Sequence, residues 1–191
     1  MARAPIGRQQ LLDAACAELV AGSGVLELGA LTRRAGLSTG ALYHHFGSKA
    51  GLLAAVYDGF YTGLRAATAD AKLPDGDWGT RERERTRCFV AYHFQNPLAG
   101  VLLARIALDP QLSELEAVYV QNMSDDAAAN IRRGQDLGQL PADIEPDSAA
   151  AYVIGGLRLG ITQQLRAAPR PHPDQVAERL WHLTAGTLGI A

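Results

Sequence analysis

An all-α fold is predicted for this chain of 191 residues, and three observations predict it. Apolar residues recur three and four apart along most of the length, and no stretch alternates with the period of two that a half-buried strand needs. Gly, Pro, Ser and Asn punctuate those runs where helices would start and stop. A hydrophobic content of 48% suffices for a core without covalent staples.

The first helix carries Leu11-Leu12-Asp13-Ala14-Ala15 and ends at Gly22. In the second, Leu28, Leu31 and Ala35 share one face, and Gly36 ends it. A glycine just past the last helical residue takes the left-handed conformation without a Cβ clash, so Gly36-Leu37-Ser38 is a sharp turn with Leu37 filling the angle. Ser38 or Thr39 caps a third helix that runs through Gly40, Ala41, Leu42 and Tyr43 and stops near Gly47. Leu42 and Phe46, four apart, face inward. Thr39, Gly40, Tyr43 and His44 are left outward, where short residues admit the helix to a major groove and Tyr43 and His44 reach phosphates or base edges. Ser48 caps the fourth helix, and Lys49 stands at its positive end, where an anion is attracted. These residues read as a helix-turn-helix for double-stranded DNA.

The fourth helix runs from Ser48 to about Ala71, with Leu52, Leu53, Val56, Phe60 and Leu64 at helical spacing, and links this head to the rest. Pro and Gly in Leu73-Pro-Asp-Gly-Asp-Trp-Gly79 make a loop. Arg81-Glu-Arg-Glu-Arg-Thr-Arg87 opens a fifth helix with a solvated face of i,i+3 pairs such as Arg81 and Glu84. That helix continues through Phe89, Tyr92, His93 and Phe94. Asn96 and Pro97 begin a sixth, strongly apolar but with Arg105 in its middle, which Asp109-Pro110 stops. A seventh, around Ser113 to Gly138, carries Leu115, Val118, Tyr119, Asn122, Met123 and Ile131. After the loop from Gly138 to Pro146 come two last helices, roughly 147–167 and 174–188. One face of the first, rich in small residues (Ala149, Tyr152, Val153, Gly156, Gly160), and a stripe on the other (Ala177, Leu180, Trp181, Thr184, Leu188) suit close packing. That packing is either within the chain or in a four-helix interface between two copies.

Over residues 8–60 the chain resembles the TetR family of bacterial transcriptional regulators. The most specific segment is Ser38-Thr39-Gly40-Ala41-Leu42-Tyr43-His44-His45-Phe46-Gly47-Ser48-Lys49, supported by Leu11 to Ala15, Gly22, and Leu31 to Leu37. The resemblance implies a head at 1–49, with Arg33, Ser38, Thr39, Gly40, Ala41, Tyr43, His44 and Lys49 at the DNA. It also implies a regulatory and dimerisation domain at 50–191, acting as a homodimeric repressor that a small-molecule effector releases from a palindromic operator. Two positions depart from the family. Glu27 stands where a Thr usually caps the second helix and meets a phosphate, so no hydroxyl supplies that contact. Gly51 stands where a Glu usually completes a reciprocal cap with Ser48, so a less firmly held helix start is expected.

Relatives of this kind enclose a pocket in the C-terminal helices. The candidate lining is Phe60, Trp78, Phe89, Tyr92, His93, Arg105, Tyr119, Asn122, Met123 and Tyr152, apolar with a few polar groups. Each has a plainer reading. His93 suits a satisfied helix histidine, the aromatics suit a core, and Arg105 suits an internal carboxylate such as Glu114 better than an anionic ligand. The candidate dimer face is Tyr152, Val153, Gly156, Gly160, Leu180, Trp181, Thr184 and Leu188. A second reading keeps the DNA-binding head and makes the C-terminal part a dimerisation or protein-interaction module only.

Net charge is −2, with a sequence pI near 6.2. Through residue 49, Arg3, Arg8, Arg33, Arg34 and Lys49 outnumber Asp13, Glu18 and Glu27, so that part is +2 and the remainder −4. The excess is small, and two heads acting together are expected to supply the affinity. Cys16 and Cys88 suit reduced buried thiols better than a disulfide or metal pair. No metal site or cofactor is expected, and catalysis finds no support, since the sequence shows no phosphate-cradling Gly-rich loop, no pair of His at metal-ligand spacing and no nucleophile flanked by a recognisable base. Nothing joins a basic leader to an apolar run or approaches ~20 apolar residues, so neither export nor membrane insertion is expected and the cytoplasm is.

Overall fold

A computed structural model describes residues 6–105 and 110–190. Among them there are nine helices and no strand. The chain divides into two compact units, one of Met1–Gly63 with Pro97–Leu115 and one of Leu64–Asn96 with Glu116–Ala191.

The first unit contains α1 (Ile6–Ala21), α2 (Leu28–Ala35), α3 (Thr39–Phe46), most of α4 (Lys49–Thr68) and α6 (Leu98–Arg105). α1 packs against α2, α3 and α6. Leu11, Leu19, Leu26, Leu31, Leu42 and Leu52 are fully buried. Leu26, just before the cap of α2, and Leu31, in its fourth helical position, occupy the two places of a hydrophobic staple. The inward face of α4 includes Tyr57, whose hydroxyl donates to the Leu102 carbonyl at 3.1 Å. Periodicity had marked only the aliphatics and Phe60 there, yet Tyr57 and Tyr61 are buried beside them in sequence.

The second unit contains the end of α4, α5 (Trp78–Gln95), most of α7 (Pro110–Asp136), α8 (Pro146–Arg166) and α9 (Pro173–Thr187). α5 lies along α9, and α8 packs on both. α5 begins at Trp78, earlier than its charged run suggested, because Asp77 caps it by accepting the Thr80 N–H at 2.7 Å. Within that run the i,i+3 pairs are Glu82 with Arg85 and Glu84 with Arg87. Glu145 caps α8 through the N–H groups of Asp147 and Ser148, and Pro follows each of the α8 and α9 caps. One core cluster joins Trp78, Ala128, Ile131, Leu140, Ala150 and Leu188. The Trp78 indole N–H is satisfied by the Asn130 carbonyl at 3.0 Å. A Cβ on Gly160 would lie 2.7 Å from Leu180 Cδ2, so α8 and α9 approach closely at that point.

Cys16 and Cys88 are free thiols, each half-buried and each with its pKa raised chiefly by burial. Among the described residues no helix is long and apolar enough to cross a membrane.

Candidate nucleic-acid interface

The helix-turn-helix is built on two glycines in the left-handed region. Gly36 closes α2 at φ 64°, with its N–H bonded back to the Arg33 carbonyl and that of Leu37 to Thr32. Gly47 closes α3 at φ 71°, its N–H on the Tyr43 carbonyl at 2.9 Å. A side chain at either would carry the Cβ penalty of that conformation. Ser38 caps α3 by accepting the Ala41 N–H at 3.2 Å. A hydroxyl has one donor and two acceptor positions, so Ser38 keeps its own O–H for an outward acceptor.

The eight residues of α3 split by face. Leu42 is wholly buried, and Ala41, His45 and Phe46 are half-buried. Thr39, Gly40, Tyr43 and His44 are exposed, Tyr43 by 50%. Ala41 is thus more a wall of the head than part of its surface, and its N–H is already used by Ser38. Arg33 is exposed on α2, whereas neighbouring Arg34 is tied to Glu18 of α1 at 2.6 Å. Lys49 is exposed at the first residue of α4, whose start Ser48 caps through the Gly51 N–H at 2.9 Å. No side-chain cap bond forms at Glu27.

Contacts that sequence spacing did not reveal hold α3 from behind. The Arg8 guanidinium stacks over the Phe46 ring at 5.1 Å. Gly7 leaves room for His45, whose Nε2 would sit 3.2 Å from a Cβ there. Both contacts join the start of α1 to the end of α3, far apart in the chain. The resulting surface presents hydroxyls, an imidazole, an ammonium and a guanidinium to solvent, the groups that meet phosphates and base edges.

The second unit places the candidate effector residues differently from one another. Phe89 and His93 are buried a turn apart on α5, with ring centroids 4.3 Å apart and Tyr92 edge-on to His93. The Phe89 carbonyl can only accept, so His93 Nδ1 donates to it at 2.8 Å, and desolvation lowers the imidazole pKa to about 4. Tyr119 and Met123 are half-buried on α7. Trp78 is committed to the core cluster, and Asn122 and Tyr152 are exposed, Tyr152 because Ile154 two residues on takes the inward side of α8. Phe60 is buried in the first unit, and the side chain of Arg105 lies outside the described residues, as does any pairing with Glu114. The buried carboxylate that does have a guanidinium is Glu116 of α7, paired with Arg158 of α8. Those partners are 42 residues apart, and no local pattern links them.

On α8 and α9 the expected interface residues also divide. Val153 packs against the core cluster, Leu180, Thr184 and Leu188 are buried, Gly160 receives Leu180, and Trp181 is half-buried. Packing within the chain uses these. Outward on α8 are Tyr152 (71% exposed), Gly155, Gly156 and Leu159 (63%), one helical face, and on α9 Leu183 (66%).

Residues 11–56 match the family model described as bacterial regulatory proteins, tetR family. No match was found among curated protein sequences. Solved structures with a similar fold include a TetR-family transcriptional regulator from Pectobacterium atrosepticum (26% identity, 98% of each chain, TM-score 0.69). GusR of Salmonella enterica is similar over 99% of this chain and 98% of its own (20% identity, TM-score 0.79). A TetR-family regulator from Syntrophomonas wolfei is similar over 97% and 96% (14% identity, TM-score 0.80). Capped and backed as it is, the head of residues 11–56 is similar to the head of bacterial regulatory proteins of the tetR family, and the fold of the chain is like that of solved TetR-family regulators.

Proposed function

We propose that the chain is a homodimeric repressor of the cytoplasm, bound to a palindromic operator and released by a small-molecule effector held among its C-terminal helices. The observation that carries the DNA reading is the division of α3, with Leu42 locked inward while Thr39, Gly40, Tyr43 and His44 stand exposed between two glycine stops. A helix held this way inserts as a rigid edge, so side-chain ordering costs little on binding. Support for a dimer comes from the outward face of Tyr152, Leu159 and Leu183, lined with glycines that let a second helix come close. Support for an effector comes from Phe89, Tyr92 and His93 in the same unit as the Arg158–Glu116 pair, an aromatic interior with few polar groups.

The test is selection of bound sequences from a random duplex pool, followed by binding to the winner at several salt concentrations. A palindrome, lost with Tyr43→Ala or Lys49→Ala, is expected. Weak binding that enriches no sequence and fades steeply in salt would overturn the reading. A screen of small molecules for a raised melting temperature then separates the effector reading from the alternative, a C-terminal module for dimerisation alone.

A further inference from the structure

The last turn of α3 bears on the first turn of α1, inside the first unit. The Arg8 guanidinium lies over the Phe46 ring, 5.1 Å from its centroid. His45 stands edge-on to Phe46 with centroids 6.4 Å apart, and His44 edge-on to His45 at 5.1 Å. A Cβ on Gly7 would lie 3.2 Å from His45 Nε2 and 3.7 Å from Leu37 Cδ1, so α1 starts in the angle between the turn and α3. A row of stacked groups thus runs from Arg8 on α1 to His44, which is exposed on the outer face of α3.

The two ends of α3 are held differently. Its start is fixed by the Ser38 cap and by Leu42, which is wholly buried. Phe46, its last residue, is only half-buried, so burial alone leaves that end slack. A cation over the ring face supplies what burial does not, because the face carries the negative part of the aromatic quadrupole. Arginine suits the position since its flat guanidinium stacks on the ring, whereas an ammonium is a compact point charge. The cations of the described head thereby divide. Arg34 is tied to Glu18 and Arg8 to a ring, while Arg33 and Lys49 are exposed.

We propose that Arg8 is a positioning residue for operator readout: its stack on Phe46 fixes the last turn of α3, and with it His44, and its charge neutralises no phosphate. This rests on the operator-binding reading proposed above. Because every contact lies within one unit, Arg8 acts inside each head, on base preference within a half-site.

The experiment measures affinity of the full-length protein for the selected operator and for an unrelated duplex across a salt series, with melting temperatures alongside. Arg8→Ala is expected to lose roughly tenfold on the operator, from two stacks worth roughly twofold to fivefold each. On the unrelated duplex the loss is less than about twofold, and the slope of log affinity against log salt is unchanged. Phe46→Leu keeps an apolar group without the ring face and loses a similar amount, and the double variant loses no more than either alone. Arg8→Lys keeps a charge that a phosphate accepts equally well but not the flat stack, so it does not restore full operator affinity. Should Phe46→Leu fail to fold, the comparison of Arg8→Ala with Arg8→Lys decides.

Equal losses on both duplexes, with a salt slope lower by about 1 for each head, would make Arg8 a phosphate contact and overturn the proposal. Additive losses for Arg8 and Phe46, or full recovery in Arg8→Lys, would do the same. A lower melting temperature with unchanged operator affinity would reduce the stack to support of the fold. If the unaltered protein enriches no operator, the DNA reading itself falls and this falls with it.

Discussion

The carbonyl oxygen of Phe46 and the α-carbon of Gly51 meet so closely that a Cβ on Gly51 would lie 2.1 Å from that oxygen. The end of α3 therefore rests on the first turn of α4, and the glycine that seemed to weaken the cap has a steric cause. Gly51→Ala must displace backbone, at a cost of about 1–3 kcal/mol. Up to ~1 kcal/mol returns through helix propensity. A net loss of about 1–2 kcal/mol is expected by urea unfolding, accompanied by weaker operator binding because the contact abuts α3. Unchanged stability would show that the head relaxes around the side chain.

Lys49 and Tyr43 separate charge from readout. Lys49→Ala is expected to weaken binding to all duplexes alike and to lower the slope of log affinity against log salt by about 1. Tyr43→Ala is expected to cost about 1–3 kcal/mol on the operator and little on unrelated DNA. Fluorescence anisotropy across a salt series checks both, and equal losses on operator and unrelated DNA for Tyr43→Ala would make it a backbone contact.

His93 ties stability to pH. Its folded pKa of about 4 lies below the ordinary 6.5 because burial disfavours the imidazolium. Its contribution is therefore complete above the unfolded value near 6.5 and is lost as pH falls toward 4. The difference is worth up to ~3 kcal/mol at full extent. Unfolding midpoints measured from pH 7.5 down to pH 4 should decline, and His93→Gln should flatten that part of the decline.

The Arg158–Glu116 pair should respond unequally to removal of its two members. Glu116 is the deeper partner, with 5% of its side chain exposed against 27% for Arg158. Arg158→Met leaves a carboxylate in the interior without that guanidinium and is expected to cost about 3 kcal/mol or more. Glu116→Gln leaves a guanidinium that can turn toward water and should cost less. The double variant Arg158→Met, Glu116→Leu should recover much of the loss, which a double-mutant cycle measures directly.

A charge on the outward face of α8 tests the dimer. Leu159→Glu is expected to leave the unfolding of the monomer nearly unchanged and to weaken association roughly tenfold or more, since two-fold symmetry places the substitution twice in one interface. Sedimentation equilibrium reads the mass, and an intact dimer would move the interface elsewhere.

The head was legible in the sequence because its signals are local. Gly36, Ser38, Gly47 and Ser48 lie next to the helix ends they define, and Leu31 and Leu42 mark buried faces by spacing alone. Long-range partners carry no such mark. Nothing beside Arg34 points to Glu18, and nothing beside Arg158 points to Glu116. α8 was ambiguous for a different reason. It has two apolar sides, Ile154, Ile161 and Leu165 inward and Tyr152 and Leu159 outward, so periodicity could not tell the stripe that closes the chain from the one left open. Tyr57 and Tyr61 were missed because residues with polar tips score poorly as core, although the Tyr57 hydroxyl finds a buried carbonyl.

At eight residues, α3 is below the ~12–15 that a helix needs to persist alone in water. Its shape is thus a loan from Leu42, Ser38, the two glycines and the Arg8–Phe46 stack, none of which is a base-reading residue on the exposed face. Thr39, Gly40, Tyr43 and His44 can then change with little effect on whether the head folds. A lineage carrying this scaffold is free to acquire new operators by substitution at a few surface positions, without passing through unfolded ancestors.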